Sequence, residues 1–331
     1  MKDLDRRSFL RIAGTSLGVG ALYRVAPALA APGAGQDTAR QLARRNGEAV
    51  RPFTFVQLSD THVGSGPPQN PNGTAAFERA EETVNGLREQ PDLILFTGDL
   101  THDSEAPGEP ERRFQRWQEI ADRLRVKTRK IVPGEHDAGL DGGQRFRTMF
   151  GETHHAFDHR GVHFVALDNV SRAKPEVGPE QLAWLRKDLA RFPATAPIVV
   201  FTHRPLFDLK PEWEWFTSDG DEVMKVLAPF ENVTVLYGHI HREDLPEEGN
   251  AHHYAARSLS WAFNDPAQAD DKKAVPFEAL HPFQHLGLCV VRAAPGQRPH
   301  TATVRADEVE LSMAEHSGTE GFAQLLLPST L

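Results

Sequence analysis

The sequence predicts an α/β fold, a four-layer α/β/β/α sandwich of two mixed sheets, and three observations carry that expectation. Short apolar runs alternate with amphipathic stretches over 53–132, a β-α-β-α-β rhythm that right-handed crossovers turn into a mainly parallel half-sheet. The same rhythm resumes over 198–236. From residue 251 onward come short strands without good helices between them. Two half-sheets with their own helices bury most apolar surface by packing face to face with the helices outside.

Taken in order, 53–58 is the first strand, 64–73 a loop rich in Gly, Pro and Asn, and 75–89 a helix. Pro91 and Asp92 turn the chain into 93–96, almost wholly apolar as a strand covered on both faces should be. A polar loop over 101–110, an amphipathic helix over 111–124 and a strand over 130–132 follow. A short helix is expected over 144–150, a hairpin over 155–158 and 162–167 around His159, Arg160 and Gly161, and a helix over 179–189. Strands at 198–201 and 233–236 flank a helix over 221–227. The runs 252–256, 285–291 and 301–304 read as strands, and 251–331 is expected to supply the outer strands of the second sheet. No internal repeat or linker divides 51–331, which reads as one domain.

Residues 1–30 stand apart. Arg6, Arg7, Ser8, Phe9, Leu10 and Arg11 precede a weakly apolar run over 12–25, broken by Gly14, Gly18 and Gly20. Ala28-Leu29-Ala30 then offers a small-x-small cleavage site. Basic region, apolar region and cleavage site in this order are those of a bacterial twin-arginine export signal. The twin-arginine machinery is therefore an expected partner, and the periplasm or the exterior the destination. That route carries proteins already folded. The apolar run is too short and glycine-rich for a stable membrane span. Residues 31–50 read as a flexible lead-in.

The chain of 331 residues carries a formal charge of −9, and removal of the five basic and two acidic residues of 1–30 takes it to −12. No nucleic-acid partner is expected of such a balance. Cys289 is the only cysteine, so there is no internal disulfide, and it reads as a buried strand residue.

The chemistry gathers where strands end. The first strand leaves into Asp60-x-His62, the second into Gly98-Asp99, and the third into Gly134-Glu135-His136-Asp137. The two later strands leave into His203 and into Gly238-His239-x-His241. Side chains two apart on an extended strand share a face, so Asp60 and His62 are expected to reach one ion by an extended step. Gly98 and Gly238 let backbone come close to a metal pair. Asp60, His62, Asp99, Glu135, His203, His239 and His241 are hard or borderline ligands with no thiolate, suited to Zn, Fe or Mn. Seven candidates are too many for one ion and right for two, sharing a carboxylate.

These five blocks, in this order, resemble the calcineurin-like metallophosphoesterase family from Phe53 to about His241. The resemblance implies a four-layer sandwich over two metals, divalent or of mixed valence. It gives Asp60, His62 and His241 to the first metal, His203 and His239 to the second, and Asp99 to both. It makes Asp99 and His136 catalytic, with His136 stabilising the transition state or protonating the leaving group. The family's fourth block is normally Gly-Asn-His, whereas residue 135 here is Glu, a charged carboxylate expected to ligate the second metal. The implied reaction is attack of a metal-bridging hydroxide on the phosphorus of a small phosphate ester, a diester by likeness to bacterial members. Two other classes stand beside it: a phosphomonoesterase of the same mechanism, and a noncatalytic module that keeps its metals.

Around the core set, some roles stay open. His102 either touches substrate or is an exposed loop residue, and Arg204 either clamps a phosphate oxygen or makes a salt bridge. Trp213, Trp215 and Phe216 are either a lid or the packing edge of a loop. His154, His155, His159 and His163 read as structural or surface positions around the hairpin.

Overall fold

The computed structural model describes residues 51–310 apart from 72, 245–246, 249–250 and 299–300, together with 40 and 47. The expected export signal, almost all of the lead-in and residues 311–331 lie outside the described residues.

The first half runs β1 (Phe53–Leu58), α1 (Ala75–Gly86), β2 (Leu93–Thr97), α2 (Glu109–Ala121) and β3 (Arg129–Val132), then two short helices, α3 (Glu135–Ala138) and α4 (Gln144–Phe150). The second runs β4 (His155–His159), β5 (Val162–Ala166), α5 (Pro179–Leu189), β6 (Ile198–Phe201), a 3-10 turn (Pro211–Trp213), α6 (Gly220–Leu227) and β7 (Val233–Tyr237). Four strands close the described chain: β8 (Glu247–Glu248), β9 (Ala251–Ala255), β10 (Gly287–Arg298) and β11 (Thr301–Glu310). They form two mixed sheets, β11-β10-β1-β2-β3 and β4-β5-β6-β7-β9-β8.

Period-2 alternation explains the layers. Val56 and Leu58 of β1, with Ile94 and Phe96 of β2, face outward onto Phe77, Ala80 and Val84 of α1 and Phe114, Trp117 and Ile120 of α2. Phe55, Leu93 and Leu95 face the other way and meet Phe164, Val199, Phe201 and Leu236 of the second sheet. The far side of that sheet, through Val165, Val200 and Val235, carries Leu182, Leu185 and Leu189 of α5 with Val223 and Leu227 of α6. The result is the α/β/β/α sandwich.

One expectation is corrected. β10 and β11 do not extend the second sheet; β10 pairs antiparallel with β1, Val290 opposite Val56, and β11 lies outside it. The physical reason is that β10 is apolar on both faces. Beside β1, Leu288 reaches the helix layer while Cys289 and Val291 enter the inter-sheet core. Only β9, parallel to β7, and β8 beside it belong to the second sheet. Helix ends also shift. α1 stops at Gly86 because the Gln90 amide donates to the carbonyls of Val84, Asn85 and Leu87 at 3.1, 3.2 and 2.8 Å. α2 begins at Glu109 with Pro110 in its first turn, where a missing N–H costs nothing.

Candidate metal centre

The turns that follow β1, β2, β6 and β7 are braced against one another before any side chain is considered. Asp60 N–H donates to Gly98 O at 3.0 Å, His62 N–H to Asp99 O at 2.9 Å, and Gly238 N–H to His203 O at 3.0 Å. The expected extended step is not found: Asp60 and His62 have φ of 53° and 41°. Asp99, His239 and His241 are left-handed as well, at 50°, 66° and 53°. Asp and His tolerate this region better than most residues, yet each such residue costs about 1–3 kcal/mol. The braced turns hold the strain and aim five side chains inward.

Two glycines make the approach possible. Gly98 has φ of 94°, and a Cβ there would run into the His203 ring. A Cβ on Gly238 would strike the Ser59 hydroxyl and the Asp60 carboxylate.

All seven expected ligands are brought together, in two groups. Asp60, His62, Asp99 and His241 are buried, with ligand atoms within 4.8 Å of one another, and Glu135, His203 and His239 form the second group on the same criterion. Asp99 Oδ2 stands between them, 3.4 Å from both His62 Nε2 and His203 Nε2.

The hydrogen bonds test whether these groups suit metal ions. His203 Nδ1–H donates to Thr97 O at 2.7 Å, His239 Nε2–H to Glu214 O at 3.0 Å and His241 Nδ1–H to Trp261 O at 2.8 Å. A carbonyl accepts and cannot donate, so each bond fixes a tautomer and leaves a lone pair on the other nitrogen. Those other nitrogens lie close to Glu135, Asp60 or a second imidazole. His203 Nε2 and Glu135 Oε2 lie 2.8 Å apart and are buried, and neither atom has a partner with good hydrogen-bond geometry. His239 Nδ1 is 2.8 Å from Glu135 Oε1, and His241 Nε2 is 3.1 Å from His62 Nε2. Burial and the neighbouring imidazoles hold His62 well below the usual histidine range, so it is a neutral donor. Against its burial, Asp99 and Glu135 push His203 well above that range: the pocket stabilises positive charge. Two clusters of imidazoles and carboxylates around a shared carboxylate fit a binuclear divalent-metal centre.

His136 faces both groups. Its N–H donates to Asp99 Oδ1 at 3.0 Å, and its Nδ1 lies 2.6 Å from Asp103 Oδ1. Burial alone would lower the imidazole, but Asp99 and the Asp103 bond push it up to about 9. The same bond takes Asp103 down to about 2. Asp137 works on the backbone, accepting from Leu100 N, Thr101 N and Gly134 N at 2.9, 2.9 and 3.0 Å, which ties the β2 and β3 turns together.

The open roles sort as follows. His102 is half-buried, stacked on His136 at 4.6 Å with its Nδ1 3.3 Å from His62 Nδ1. Arg204 is buried, with Nε 3.5 Å from Glu135 Oε2. Trp213 and Trp215 are buried and pack edge to face at 4.9 Å: they are a packing edge, not a lid. His163 lies away from the site, between Asp158 and Asp188. Three site-lining residues escaped the sequence reading: Asp103, Trp261, whose ring lies 4.3 Å from that of His62, and Lys272. Asp103, one residue past His102, carried a weak signal; loop positions 261 and 272 carried none.

The family model described as Calcineurin-like phosphoesterase matches residues 53–243, more than half of the chain. The chain is a calcineurin-like phosphoesterase. Its site is that of a binuclear-metal-dependent hydrolase of phosphate esters. Among curated relatives, a 3',5'-cyclic-nucleotide phosphodiesterase of Nostoc sp. is 24% identical over 220 residues, 64% of this chain and 80% of that protein. A probable cyclic nucleotide phosphodiesterase of Rhodopseudomonas palustris is 30% identical over 205 residues, 57% of this chain and 71% of that protein. A serine/threonine-protein phosphatase of Danio rerio is 27% identical over 221 residues, 58% of this chain and 71% of that protein. A solved dimetal phosphatase from Danio rerio shares the fold, with a TM-score of 0.53 at 14% identity over 80% of this chain and all of that one. Among the described residues no helix is long and apolar enough to cross a membrane.

Proposed function

We propose that this phosphoesterase is an exported phosphodiesterase, with Asp60, His62 and His241 at one metal, Glu135, His203 and His239 at the other, and Asp99 shared. The observation that carries the reading is the position of Asp99 Oδ2, 3.4 Å from an imidazole of each group. Two divalent cations held there supply the charge that draws in a phosphate and activates water against it. The chain's own residues do the rest. Asp99 sets the spacing of the two groups. His136, with Nδ1 on Asp103, turns Nε2 toward the substrate and can hand a proton to the departing alkoxide. Three curated relatives, named as phosphodiesterases of cyclic nucleotides or of glycerophosphodiesters, support a diester.

Glu135 supports the same preference. In place of the family's usual Asn it adds one negative charge beside His203 and His239. That charge holds a cation more tightly and repels a dianionic monoester more than a monoanionic diester. The test is metal content of the native protein, with turnover of bis(4-nitrophenyl) phosphate against 4-nitrophenyl phosphate. Two metals per chain and faster diester turnover are expected; one metal per chain defeats the binuclear assignment. In Glu135→Asn, loss of metal and a gain in relative monoester turnover are expected. Unchanged metal content, activity and pH profile would remove Glu135 from the ligand set.

The export half of the proposal is supported by the order Arg6-Arg7, apolar run and Ala28-Leu29-Ala30. It takes 1–30 as the signal, 31–50 as a flexible lead-in and 51–331 as the phosphoesterase domain. Replacing both arginines with lysine is expected to leave the precursor in the cytoplasm. Processed protein in the periplasm of that variant would refute the route.

A further inference from the structure

We infer that Lys272 is a substrate-binding residue of this site, which with Arg204 holds an anionic oxygen of the phosphate ester on the Glu135 side; the inference rests on the phosphoesterase reading. Lys272 belongs to the segment that follows Trp261 and Phe263, both packed on His241 at ring distances of 4.7 and 4.8 Å. Its ammonium donates to Trp213 O at 3.0 Å and lies 5.3 Å from the centre of the Phe263 ring. Trp213 is itself fixed, its indole N–H donating to Asp270 O at 2.7 Å. The segment and the Trp213 loop therefore clasp each other over the second metal group, with Lys272 in the clasp.

What marks this lysine is its surroundings. Among the described residues it has no carboxylate within ion-pair distance, although it feels the charges of Glu135, Glu214 and Asp99. One of its three ammonium protons is committed, to a neutral carbonyl. Arg204, paired with Glu135 through Nε at 3.5 Å, is also held by a neutral carbonyl: Nη1 donates to Glu214 O at 3.0 Å, while the buried Nε makes no hydrogen bond. Glu214 O also receives His239 Nε2–H, so one backbone carbonyl sets both a ligand tautomer and the guanidinium. Two cations with donors to spare, pinned by carbonyls at the rim of a phosphate site, form a receptor for anionic oxygen. They also offset locally the charge that Glu135 adds. The oxygen belongs either to the phosphoryl group under attack or to a second acidic group on its alcohol.

The variant that tests this is Lys272→Gln in the metal-loaded full-length protein, because Gln keeps a donor for Trp213 O and loses the charge. Calorimetric titration with inorganic phosphate is run beside kinetics on two diesters, one bearing a carboxylate on the alcohol and one its neutral amide. A loss of about tenfold in phosphate affinity is expected, as for one hydrogen bond to a charged group, with KM raised and kcat within about twofold. Lys272→Arg is expected to recover most of it. KM raised on both diesters places the lysine at the phosphoryl oxygens; KM raised only on the acid places it at a second acidic group. Phosphate affinity and both KM values unchanged, with or without a lower melting point, would overturn the inference and leave Lys272 a brace for the Trp213 loop. If the wild type turned over no ester, the phosphoesterase reading would fail, and phosphate affinity would still decide the lysine.

Discussion

Asp103 shows what a single residue beside the ligand set can do. At 2.6 Å from His136 Nδ1 it fixes the tautomer and raises the proton affinity of the ring. In Asp103→Asn the ring loses that support. Protonated His136 is the form that can serve the leaving group, and its share falls as pH rises through its pKa. Removing a cause that raises the pKa therefore moves the alkaline limb of the kcat profile to lower pH. A fall in kcat of about 10²-fold is expected with KM little changed, the share usual for a positioned acid. A pH–rate profile that superimposes on wild type would mean that Asp103 does not act through His136. Gly238 offers a second test, since a Cβ there meets the Asp60 carboxylate. Gly238→Ala is expected to lose metal from the Asp60 group first, read by metal content per chain. At this scale the sequence was most legible where chemistry interrupts a strand: apolar runs ending in Asp or His announce ligands without knowledge of the fold. It was least legible for Lys272 and Trp261, which lie in a loop with no period and reach the site only because two loops clasp. The left-handed turn at Asp60 was also hidden, because it depends on Gly98 O and Asp99 O arriving from another strand.

Elements were predicted best where their partners are near in sequence. α4, α5 and β6 match the expected ranges because amphipathic period, Pro at a helix start and an apolar run are local signals. The sheet that β10 joins is settled by pairing with β1 across more than 200 residues of chain, and nothing local encodes it. One structural histidine ties elements in a way open to titration. His163 on β5 is 2% exposed, with Nδ1 2.6 Å from Asp158 Oδ1 on β4 and Nε2 2.7 Å from Asp188 Oδ2 on α5. Burial would lower its pKa, but the bonds to Asp158 and Asp188 raise it above the ordinary 6.5. A folded pKa above the unfolded one gives stability that is full below about 6.5 and is lost as pH rises through the folded value. His163→Gln is therefore expected to destabilise by about 3 kcal/mol at pH 6, as when one partner of a buried ion pair is removed, and by less in alkali. Urea midpoints of both proteins across pH 6–10 check it. A gap that widens with pH would show that the ring is neutral in the folded state.

At the scale of the whole molecule, long-range and local fields oppose each other. The full chain carries −9, and a phosphate ester approaching from solvent meets that charge first. Close to the site it meets bound cations, Arg204 and Lys272 instead. Salt separates the two contributions, because the Debye length is about 10 Å at 0.1 M while contacts inside the site are shorter than this. Raising ionic strength from about 10 to 150 mM should therefore screen the distant repulsion and spare most of the local attraction. For a monoanionic diester kcat/KM is expected to rise about twofold, with kcat unchanged, and for a dianionic monoester to rise more, since repulsion scales with substrate charge. The inert salt must not bind the metals, so perchlorate or a bulky sulfonate is preferred to phosphate or sulfate. A fall in kcat/KM with salt would mean that the cationic mouth already dominates at a distance, and that the acidic surface lies too far from the approach path to matter.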